Sequence, residues 1–285
     1  MPARLSQWRR WRPVARRLPA AAALVLAAAA TAQDEVPFIT TPDSVTLAML
    51  QMAEVGATDH VIDLGSGDGR IVITAARRFG ASGLGVEIVP ELVQSSRRHA
   101  QAAGVQDRVA FRTQDLFATD LARATVVTMY LLPEVNLQLR PRLLALAPGT
   151  RIVSHDWDLG AWQPDRTLTL DVPDKAIGRE KRSRVHLWLV PAAVHGLWCE
   201  PSGAQLKVTQ RFQQFSATLE RLGTPAPLLV FDGRIDGRTL SATLPTGSTL
   251  RWSAEPAGLR LQQAAGGALA YDGRLFRPAR EDRCD

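Results

Sequence analysis

Residues 60–70 read HVIDLGSGDGR, and this stretch decides the fold. A β-prone apolar run ends at Leu64, a glycine-rich segment covers residues 65–69, and a helical pattern begins at Arg70. Glycines allow the backbone to turn sharply and to approach a ligand closely, and the helix that follows offers unpaired N–H groups. The stretch therefore predicts the ligand-binding turn of a parallel α/β sheet.

The flanking sequence alternates helical patterns with short apolar strands, which is typical of a parallel sheet covered by helices. We predict helices over 42–55, 70–79, 90–103 and 133–146, and strands over 60–64, 83–88, 108–113, 125–130 and 150–155. Two more strands, 166–172 and 184–190, follow one another without a helix between them. A direct connection predicts a hairpin, so we expect the last pair of strands to be antiparallel.

The last third of the chain has no helical pattern and shows short runs separated by turn signals. We predict strands over 206–210, 214–220, 228–231, 239–243, 249–254, 259–263 and 269–276. The pair Asp232-Gly233 is one of the predicted turns between them. We expect a small antiparallel meander or barrel over 196–285, joined through 191–196 to the α/β domain over 33–192.

The first 32 residues have the three-part layout of a secretory signal. They contain six arginines and no acidic residue, then an apolar stretch too short to span a bilayer comfortably, then Ala30-Thr31-Ala32 as a cleavage site. We expect a signal peptide over 1–32 and an exported, periplasmic protein with no stable membrane span. An uncleaved N-terminal membrane anchor and a misplaced start codon are the alternatives.

The positive charge of the chain is concentrated in that leader. The formal net charge of +6 falls to zero without the six leader arginines. A neutral remainder gives no reason to expect a phosphate-binding surface, so we expect no nucleic-acid partner.

The two cysteines, Cys199 and Cys284, both lie in the last third of the chain. Their positions are compatible with a disulfide that stabilises a small domain, and the alternative is two free buried thiols. The histidines show no metal-ligand spacing, so we expect no metal.

Three residues around the turn indicate the nature of the ligand. A dinucleotide loop of the GxGxxG type requires glycine at the position where this chain has Arg70. Asp63, just before the turn, would repel a pyrophosphate but attract the ammonium group of S-adenosylmethionine (SAM). Glu87 closes the second strand, where a carboxylate accepts the ribose hydroxyls of either class of cofactor. The pattern favours SAM over a dinucleotide.

The motifs DLGSGDGR, GLGVEIVPELV, TQDLF and TVVTMYLLPEVN resemble those of the class I (Rossmann-like) SAM-dependent methyltransferases. More narrowly, PFITTPDSVTLAMLQMAEVGATDHVIDLGSGDGRIVI is similar to bacterial methyltransferases related to mitochondrial lysine methyltransferases. The similarity covers about residues 36–190. It implies a seven-stranded doubly wound sheet and SAM as the cofactor. A degenerate fold that has lost its ligand is the alternative.

The resemblance also implies individual roles in SAM binding. The methionine end would be lined by Asp63, Gly65, Ser66 and Gly67, the ribose by Glu87, and the adenine by Asp115 and Leu116. We further expect Thr40, in the segment Thr40-Thr41-Pro42, to close over the cofactor as part of a lid. An ordinary helix N-cap is the alternative for that segment.

Three residues are candidates for the acceptor side. Tyr130 follows the fourth strand, where relatives place the groups that face the transferred methyl; an ordinary core aromatic is the alternative. His155 and Asp156 close the fifth strand at the same edge of the sheet. We interpret His155 as the candidate base and Asp156 as the group that orients an acceptor amine, with a structural cap as the alternative for both.

The resulting hypothesis is an enzyme that transfers a methyl group from SAM to nitrogen. The resemblance alone indicates a protein lysine as acceptor, and a small molecule is the alternative. A second hypothesis is an exported binding or assembly protein that keeps the fold without turnover, because SAM is made in the cytoplasm. In a third, the β-rich tail recruits the substrate.

Overall fold

The computed structural model describes residues 39–176, 180–280 and 283–284. The predicted signal peptide over 1–32 and its cleavage site lie outside these residues. Within the described ranges, no helix combines the length and the apolar character that crossing a membrane requires.

The first part of the chain alternates helices and strands. These elements are α1 (Asp43–Met52), β1 (His60–Leu64), α2 (Arg70–Phe79), β2 (Ser82–Glu87), α3 (Pro90–Ala102), β3 (Val109–Thr113), β4 (Val126–Met129), α4 (Pro133–Leu144), β5 (Arg151–His155), β6 (Arg166–Asp171) and β7 (Arg182–Leu189). The strands form one sheet in the order β3-β2-β1-β4-β5-β7-β6. Strand β7 is antiparallel to both β5 and β6, which confirms the predicted seven-stranded sheet with an antiparallel last pair.

Strand β1 lies in the middle of the sheet, parallel to β2 on one side and β4 on the other. In this register Asp63 is flanked by Gly85 and Thr128. The strand order reverses at β1, and ligands of open α/β sheets bind at such a reversal, beyond the carboxyl ends of the strands. The fold therefore places the glycine-rich turn at the expected binding edge.

Glycines determine where α2 begins and ends. Gly69 before the helix has φ of 82° and Gly80 after it has φ of 72°, a left-handed conformation that glycine adopts without steric cost. A Cβ at Gly69 would also lie 2.7 Å from the Phe111 ring. Proline starts α3 and α4, at Pro90 and Pro133, where the first helical position needs no N–H donor.

The remainder of the chain forms a closed eight-stranded barrel. Its strands are β8 (Gly196–Glu200), β9 (Ala204–Arg211), β10 (Gln214–Arg221), β11 (Leu229–Asp236), β12 (Thr239–Thr243), β13 (Thr249–Glu255), β14 (Gly258–Gln263) and β15 (Leu275–Pro278). Consecutive strands pair antiparallel, and β15 pairs with β8 to close the ring. Of the two predicted architectures, a barrel is present rather than an open meander.

The structure corrects three details of the predicted β-rich region. Asp232-Gly233 lies inside β11 rather than in a turn. Gly266–Tyr271 is a short 3₁₀ helix, whereas we predicted a strand beginning at residue 269. Gly273, inside the predicted strand, has φ of 73°, which an extended strand does not accommodate. Strand β8 lies inside the predicted β-rich region but was not predicted as a strand, because its first four residues are all half-buried and give no alternation of polar and apolar residues.

A disulfide reinforces the seam at which the barrel closes. Only Arg277 and Pro278 of β15 pair with β8, opposite Cys199 and Trp198. Cys199 also forms a disulfide with Cys284, which confirms the predicted bridge and excludes two free thiols. The covalent bond therefore holds the chain end to the first strand of the barrel.

The barrel packs against the α/β sheet through the β9–β10 turn. Phe212, at the tip of this turn, stacks on Trp162 with 6.2 Å between ring centroids. The neighbouring Gln213 donates from Nε2 to the main-chain oxygen of Gln163 over 2.7 Å. These contacts lie beyond β5, away from the glycine-rich turn.

Candidate active site

The glycine-rich turn is held by hydrogen bonds to β2. The N–H groups of Gly65 and Ser66 both donate to the main-chain oxygen of Val86, over 3.0 and 2.9 Å. The N–H of Gly67 donates to Glu87 Oε2 over 3.0 Å. The turn and the end of β2 therefore form one rigid unit, as the predicted SAM-binding roles of these residues require.

The backbone of the turn adopts conformations that favour glycine, and side chains approach it closely. Gly65 and Gly67 have φ of 75° and 52°. A Cβ at Gly65 would lie 2.8 Å from Leu131 Cδ2. A Cβ at Gly85, on the neighbouring strand, would lie 2.7 Å from Ser66 Oγ. Glycine is required here both for conformation and for close approach.

Asp63 is a buried carboxylate that requires a cation. Its side chain accepts a hydrogen bond at Oδ1 from Thr128 Oγ1 over 2.7 Å, and the residue is 2% exposed. Burial is the main cause that raises the pKa of Asp63 to about 7; the negative charges of Asp68 and Glu87 contribute to this rise, and the Thr128 hydrogen bond opposes it. An ammonium group placed against Oδ2 would restore the charged form.

Glu87 presents a fixed carboxylate at the end of β2. Besides the bond from Gly67, its Oε1 accepts hydrogen bonds from the N–H groups of Ile88 and Val89 over 2.8 and 3.1 Å. A carboxylate has about four lone-pair sites, so capacity remains for a ribose hydroxyl.

Asp115 and Leu116 lie at the next strand end. Asp115 follows β3, and its Oδ1 accepts from the N–H of Phe117 over 2.8 Å, which caps the 3₁₀ helix Leu116–Ala118. The N–H of Gln114 donates to the main-chain oxygen of Glu87 over 2.9 Å, which joins this segment to the ribose-side carboxylate. The structure thus brings the two predicted regions to one edge, and the adenine role stays a prediction.

Ser66 supplies a direct test of whether SAM fits this turn. Its Oγ is buried and has no hydrogen-bond partner among the described residues. A buried hydroxyl without a partner is costly, and a ligand with polar groups would satisfy it. An ammonium group would pair with Asp63, the glycines allow a ligand to approach the turn closely, and the Ser66 hydroxyl lacks a partner. These three features fit the methionine end of SAM.

Arg70 connects the turn to the segment before α1. Its Nη1 donates to the main-chain oxygen of Thr41 over 2.8 Å, and its Nη2 contacts Asp68 Oδ2 at 2.7 Å. The N-cap of α1 is Pro42, with no side-chain cap, so an N-cap by Thr41 or Thr40 is not found. Thr41 is buried and Thr40 half-buried in this segment, and the lid role stays a prediction. Sequence reasoning assigned no role to Arg70 or Asp68.

Tyr130 and His155 form an aromatic pair at the ends of β4 and β5. Their ring centroids are 3.9 Å apart at an interplanar angle of 33°. His155 is fully buried; its Nε2 lies 2.9 Å from Ser183 Oγ and its Nδ1 lies 3.4 Å from Thr41 Oγ1. Tyr130 is half-buried, and burial raises the pKa of its phenol, with a contribution from Asp156.

The environment of His155 favours positioning over proton transfer. Burial lowers the pKa of His155 to about 4, and Lys175 lowers it as well, against the raising effect of Asp156. An imidazole of that pKa is neutral at neutral pH and is a weak base there. Because both ring nitrogens contact hydroxyl groups, His155 is suited to hold the Tyr130 ring; its predicted role as base stays a prediction.

Asp156 binds an amine in the structure, and that amine belongs to Lys175. Asp156 has φ of 62°, and its Oδ1 accepts from the N–H of Arg184 over 2.9 Å. Its Oδ2 accepts from Lys175 Nζ over 2.7 Å. Sequence reasoning missed Lys175, since nothing in the pattern shows that the β6–β7 loop returns to the end of β5. The scarcity of lysine in the chain was the one available signal.

Comparison with known proteins decides the family. A sequence profile described as "ANTKMT methyltransferase domain" matches residues 63–166. A protein-lysine N-methyltransferase of Saccharolobus islandicus (strain REY15A) is 41% identical over 138 residues, which are 48% of this chain and 86% of that protein. The chain belongs to the class I SAM-dependent methyltransferases. Within them, this methyltransferase falls in the group related to mitochondrial lysine methyltransferases, as the motifs implied.

Two further proteins are similar in sequence to this SAM-dependent methyltransferase. An adenine nucleotide translocase lysine N-methyltransferase of Mus musculus is 38% identical over 38% of this chain, and the chain spans about half (48%) of its length. A solved structure described as an RNA methyltransferase of Salinibacter ruber, in complex with S-adenosyl-L-homocysteine, is 50% identical over 55% of this chain and 96% of that chain, with a TM-score of 0.50. The SAM-dependent enzyme class is thus established for the residues that precede the barrel.

Proposed function

We propose that this methyltransferase transfers the methyl group of SAM to the side-chain amine of a lysine in a protein. The names of the archaeal and mouse relatives support a lysine acceptor. The observation that carries the proposal within this chain is the amine bound to Asp156 beside the Tyr130–His155 pair. Since Asp156 already accepts a hydrogen bond from an alkylammonium group, its surroundings suit the side chain of an acceptor lysine.

The chain's own residues supply binding and positioning. Bound SAM supplies an electrophilic methyl group on a positively charged sulfur. Asp63 would hold the ammonium group at the methionine end of SAM, where the Ser66 hydroxyl would gain a hydrogen-bond partner, and Glu87 would hold the ribose. Asp156 holds the acceptor amine at the carboxyl ends of β4 and β5, next to Tyr130. Methyl transfer requires little more than in-line placement and loss of a proton from the amine to water.

Two measurements test this function. Calorimetric titration with S-adenosylhomocysteine is expected to show binding to the wild type and to Asp107→Asn, an exposed control. It is expected to show strongly weakened binding to Asp63→Asn. Incubation with SAM carrying a labelled methyl group is expected to label lysines of a lysine-rich protein, located by mass spectrometry.

The same incubation distinguishes the other acceptor classes. Label on added RNA and none on protein would overturn the lysine proposal and agree with the name of the Salinibacter ruber RNA methyltransferase. Label on neither, together with normal binding of S-adenosylhomocysteine, would favour a small-molecule acceptor or the binding protein without turnover. The named relatives are methyltransferases, which favours turnover.

We also propose that the chain is exported and that residues 1–32 are removed. The arginine-rich leader supports this proposal, and so does the disulfide between Cys199 and Cys284, because disulfides persist in oxidising compartments. Mass spectrometry of the protein from its native cells is expected to find Gln33 as the first residue and the disulfide intact. An intact leader in the membrane fraction would indicate the anchor instead.

A further inference from the structure

Lys175 lies in the loop between β6 and β7 and is held in an ammonium-binding arrangement. Its Nζ donates hydrogen bonds to Asp156 Oδ2 over 2.7 Å and to the main-chain oxygen of Arg182 over 2.6 Å. Only 14% of its side chain is exposed. Lysine is among the residues most often fully solvated, so a largely enclosed ammonium between a carboxylate and a carbonyl marks a formed binding position.

This position is contiguous with the acceptor side of the active site. Asp156 Oδ2 lies 3.5 Å from His155 Nε2, and His155 stacks on Tyr130. Lys175 Nζ is therefore separated from the Tyr130 ring by one carboxylate and one imidazole. A lysine amine sits on a flexible four-carbon stem, so it can move toward the ring while the backbone stays in place.

Lysines are few in this chain and two of them lie together. The three lysines are Lys175, Lys181 and Lys207, whereas arginine supplies the other basic side chains. Lys181 Nζ donates to the main-chain oxygen of Lys175 over 2.6 Å, which places both in the same loop. Lys207 is exposed on barrel strand β9.

We propose that Lys175 is a methylation site of the enzyme itself. Asp156 and the carbonyl of Arg182 form the ammonium position for an acceptor lysine, and Lys175 is its intramolecular occupant. This inference rests on the proposed function, because it requires the enzyme to methylate lysine amines.

The transfer is a simple displacement. Lys175 first loses a proton from Nζ to Asp156 and then to water, which frees the nitrogen lone pair. The nitrogen then forms a bond to the methyl carbon while the carbon–sulfur bond breaks and its electron pair stays on sulfur, giving S-adenosylhomocysteine. The product is a methylammonium group, which keeps its positive charge and can return to Asp156.

The direct test is to incubate the purified full-length protein with SAM that carries a trideuterated methyl group, followed by peptide mass spectrometry. We expect label on Lys175 and none on Lys207. The rate constant should not depend on enzyme concentration, because the transfer is intramolecular. Lys175→Arg keeps the charge but lacks the acceptor amine, so it should carry no label at position 175.

A second readout does not involve SAM. Acetylation by acetic anhydride should be slower at Lys175 than at Lys207 in the wild type. Asp156→Asn should remove that protection, and an excess of a lysine-rich acceptor protein should also make Lys175 more reactive by competing for the same position. Equal reactivity of the two lysines in the wild type, or no effect of the acceptor protein, would contradict the proposed position.

The outcomes separate this inference from the proposed function. An enzyme that methylates an added protein but leaves Lys175 unlabelled overturns the inference alone. Label on Lys175 and none on any added protein supports the inference and overturns the proposed transfer between proteins. No label anywhere overturns both, and a rate constant that rises with enzyme concentration overturns the intramolecular assignment.

Discussion

Arg70 donates a hydrogen bond to the main-chain oxygen of Thr41 over 2.8 Å, and this bond joins the glycine-rich turn to the segment before α1. The same Thr41 places its hydroxyl 3.4 Å from His155 Nδ1, and His155 stacks on Tyr130. The segment before α1 thus contacts both halves of the site. Arg70 contacts this segment from the start of α2, and His155 contacts it from the end of β5.

Loss of the hydrogen bond between Arg70 and the main-chain oxygen of Thr41 should weaken cofactor binding. We expect Arg70→Gln to lower the affinity for S-adenosylhomocysteine about threefold to tenfold, because a charge-assisted hydrogen bond to a segment near the ligand is lost. Isothermal titration calorimetry measures this. Arg77→Gln, in the exposed last turn of α2, is the matched control and should bind like the wild type. Equal affinities of all three proteins for S-adenosylhomocysteine would show that the Arg70–Thr41 hydrogen bond does not contribute to cofactor binding.

Cofactor affinity should depend on pH through Asp63. Its pKa of about 7 in the ligand-free enzyme means that the carboxyl is protonated below that pH and must release its proton to pair with an ammonium. Affinity for S-adenosylhomocysteine should therefore fall as pH is lowered from 8 to 6, by at most about tenfold per pH unit below 7. Asp63→Asn should bind weakly without this pH dependence. A flat pH profile for the wild type would contradict the assignment.

Tyr130 should matter through its ring rather than its hydroxyl. Tyr130→Phe keeps the stacking on His155, so we expect kcat and KM for the acceptor to change less than about threefold. Tyr130→Ala removes the ring and should lower kcat/KM about 100-fold, with the affinity for S-adenosylhomocysteine changed far less. Steady-state kinetics with varied acceptor, beside cofactor titrations, separates these effects. A large loss in Tyr130→Phe would instead assign a role to the hydroxyl.

The disulfide should stabilise the barrel but not the SAM site. Removing a bridge that closes a long loop costs about 2–5 kcal/mol. The double variant Cys199→Ser/Cys284→Ser should therefore unfold at lower denaturant concentration and still bind S-adenosylhomocysteine normally. In reducing buffer the wild type should also unfold at a lower denaturant concentration. The stability of the double variant should not change when the reductant is added. Equal stability of the two proteins in oxidising buffer would show that the β8–β15 pairing suffices.

Much of the α/β domain could be predicted because local signals agree there. Glycines flank α2, and proline starts α3 and α4, so the bounds of these helices differ from the predicted ones by two residues or fewer. The binding turn could be predicted for the same reason, since its glycines are required by conformation. The barrel was harder, because strands such as β8 show no alternation and are defined by their partners.

The acceptor side depends on contacts between residues distant in sequence, and these leave no local pattern. Lys175 reaches Asp156 only because β6 and β7 form a hairpin beside β5. Arg70 reaches Thr41 across 29 positions of chain. The environment of His155 likewise arises from Thr41 and Ser183, on either side of it in sequence. The residue types at these positions indicated what chemistry their side chains can perform. Only the fold shows which of these side chains contact each other.

Closure of the barrel constrains the order in which the two domains of this protein can fold. Its first strand, β8, pairs with its last, β15, so the ring stays open until the final residues are available. The α/β domain, whose strands all precede β8, has no such dependence and can fold while the barrel residues are still being synthesised. The disulfide between Cys199 and Cys284 likewise requires the end of the chain. A premature stop before β15 would therefore leave a folded methyltransferase domain attached to an open, aggregation-prone sheet edge.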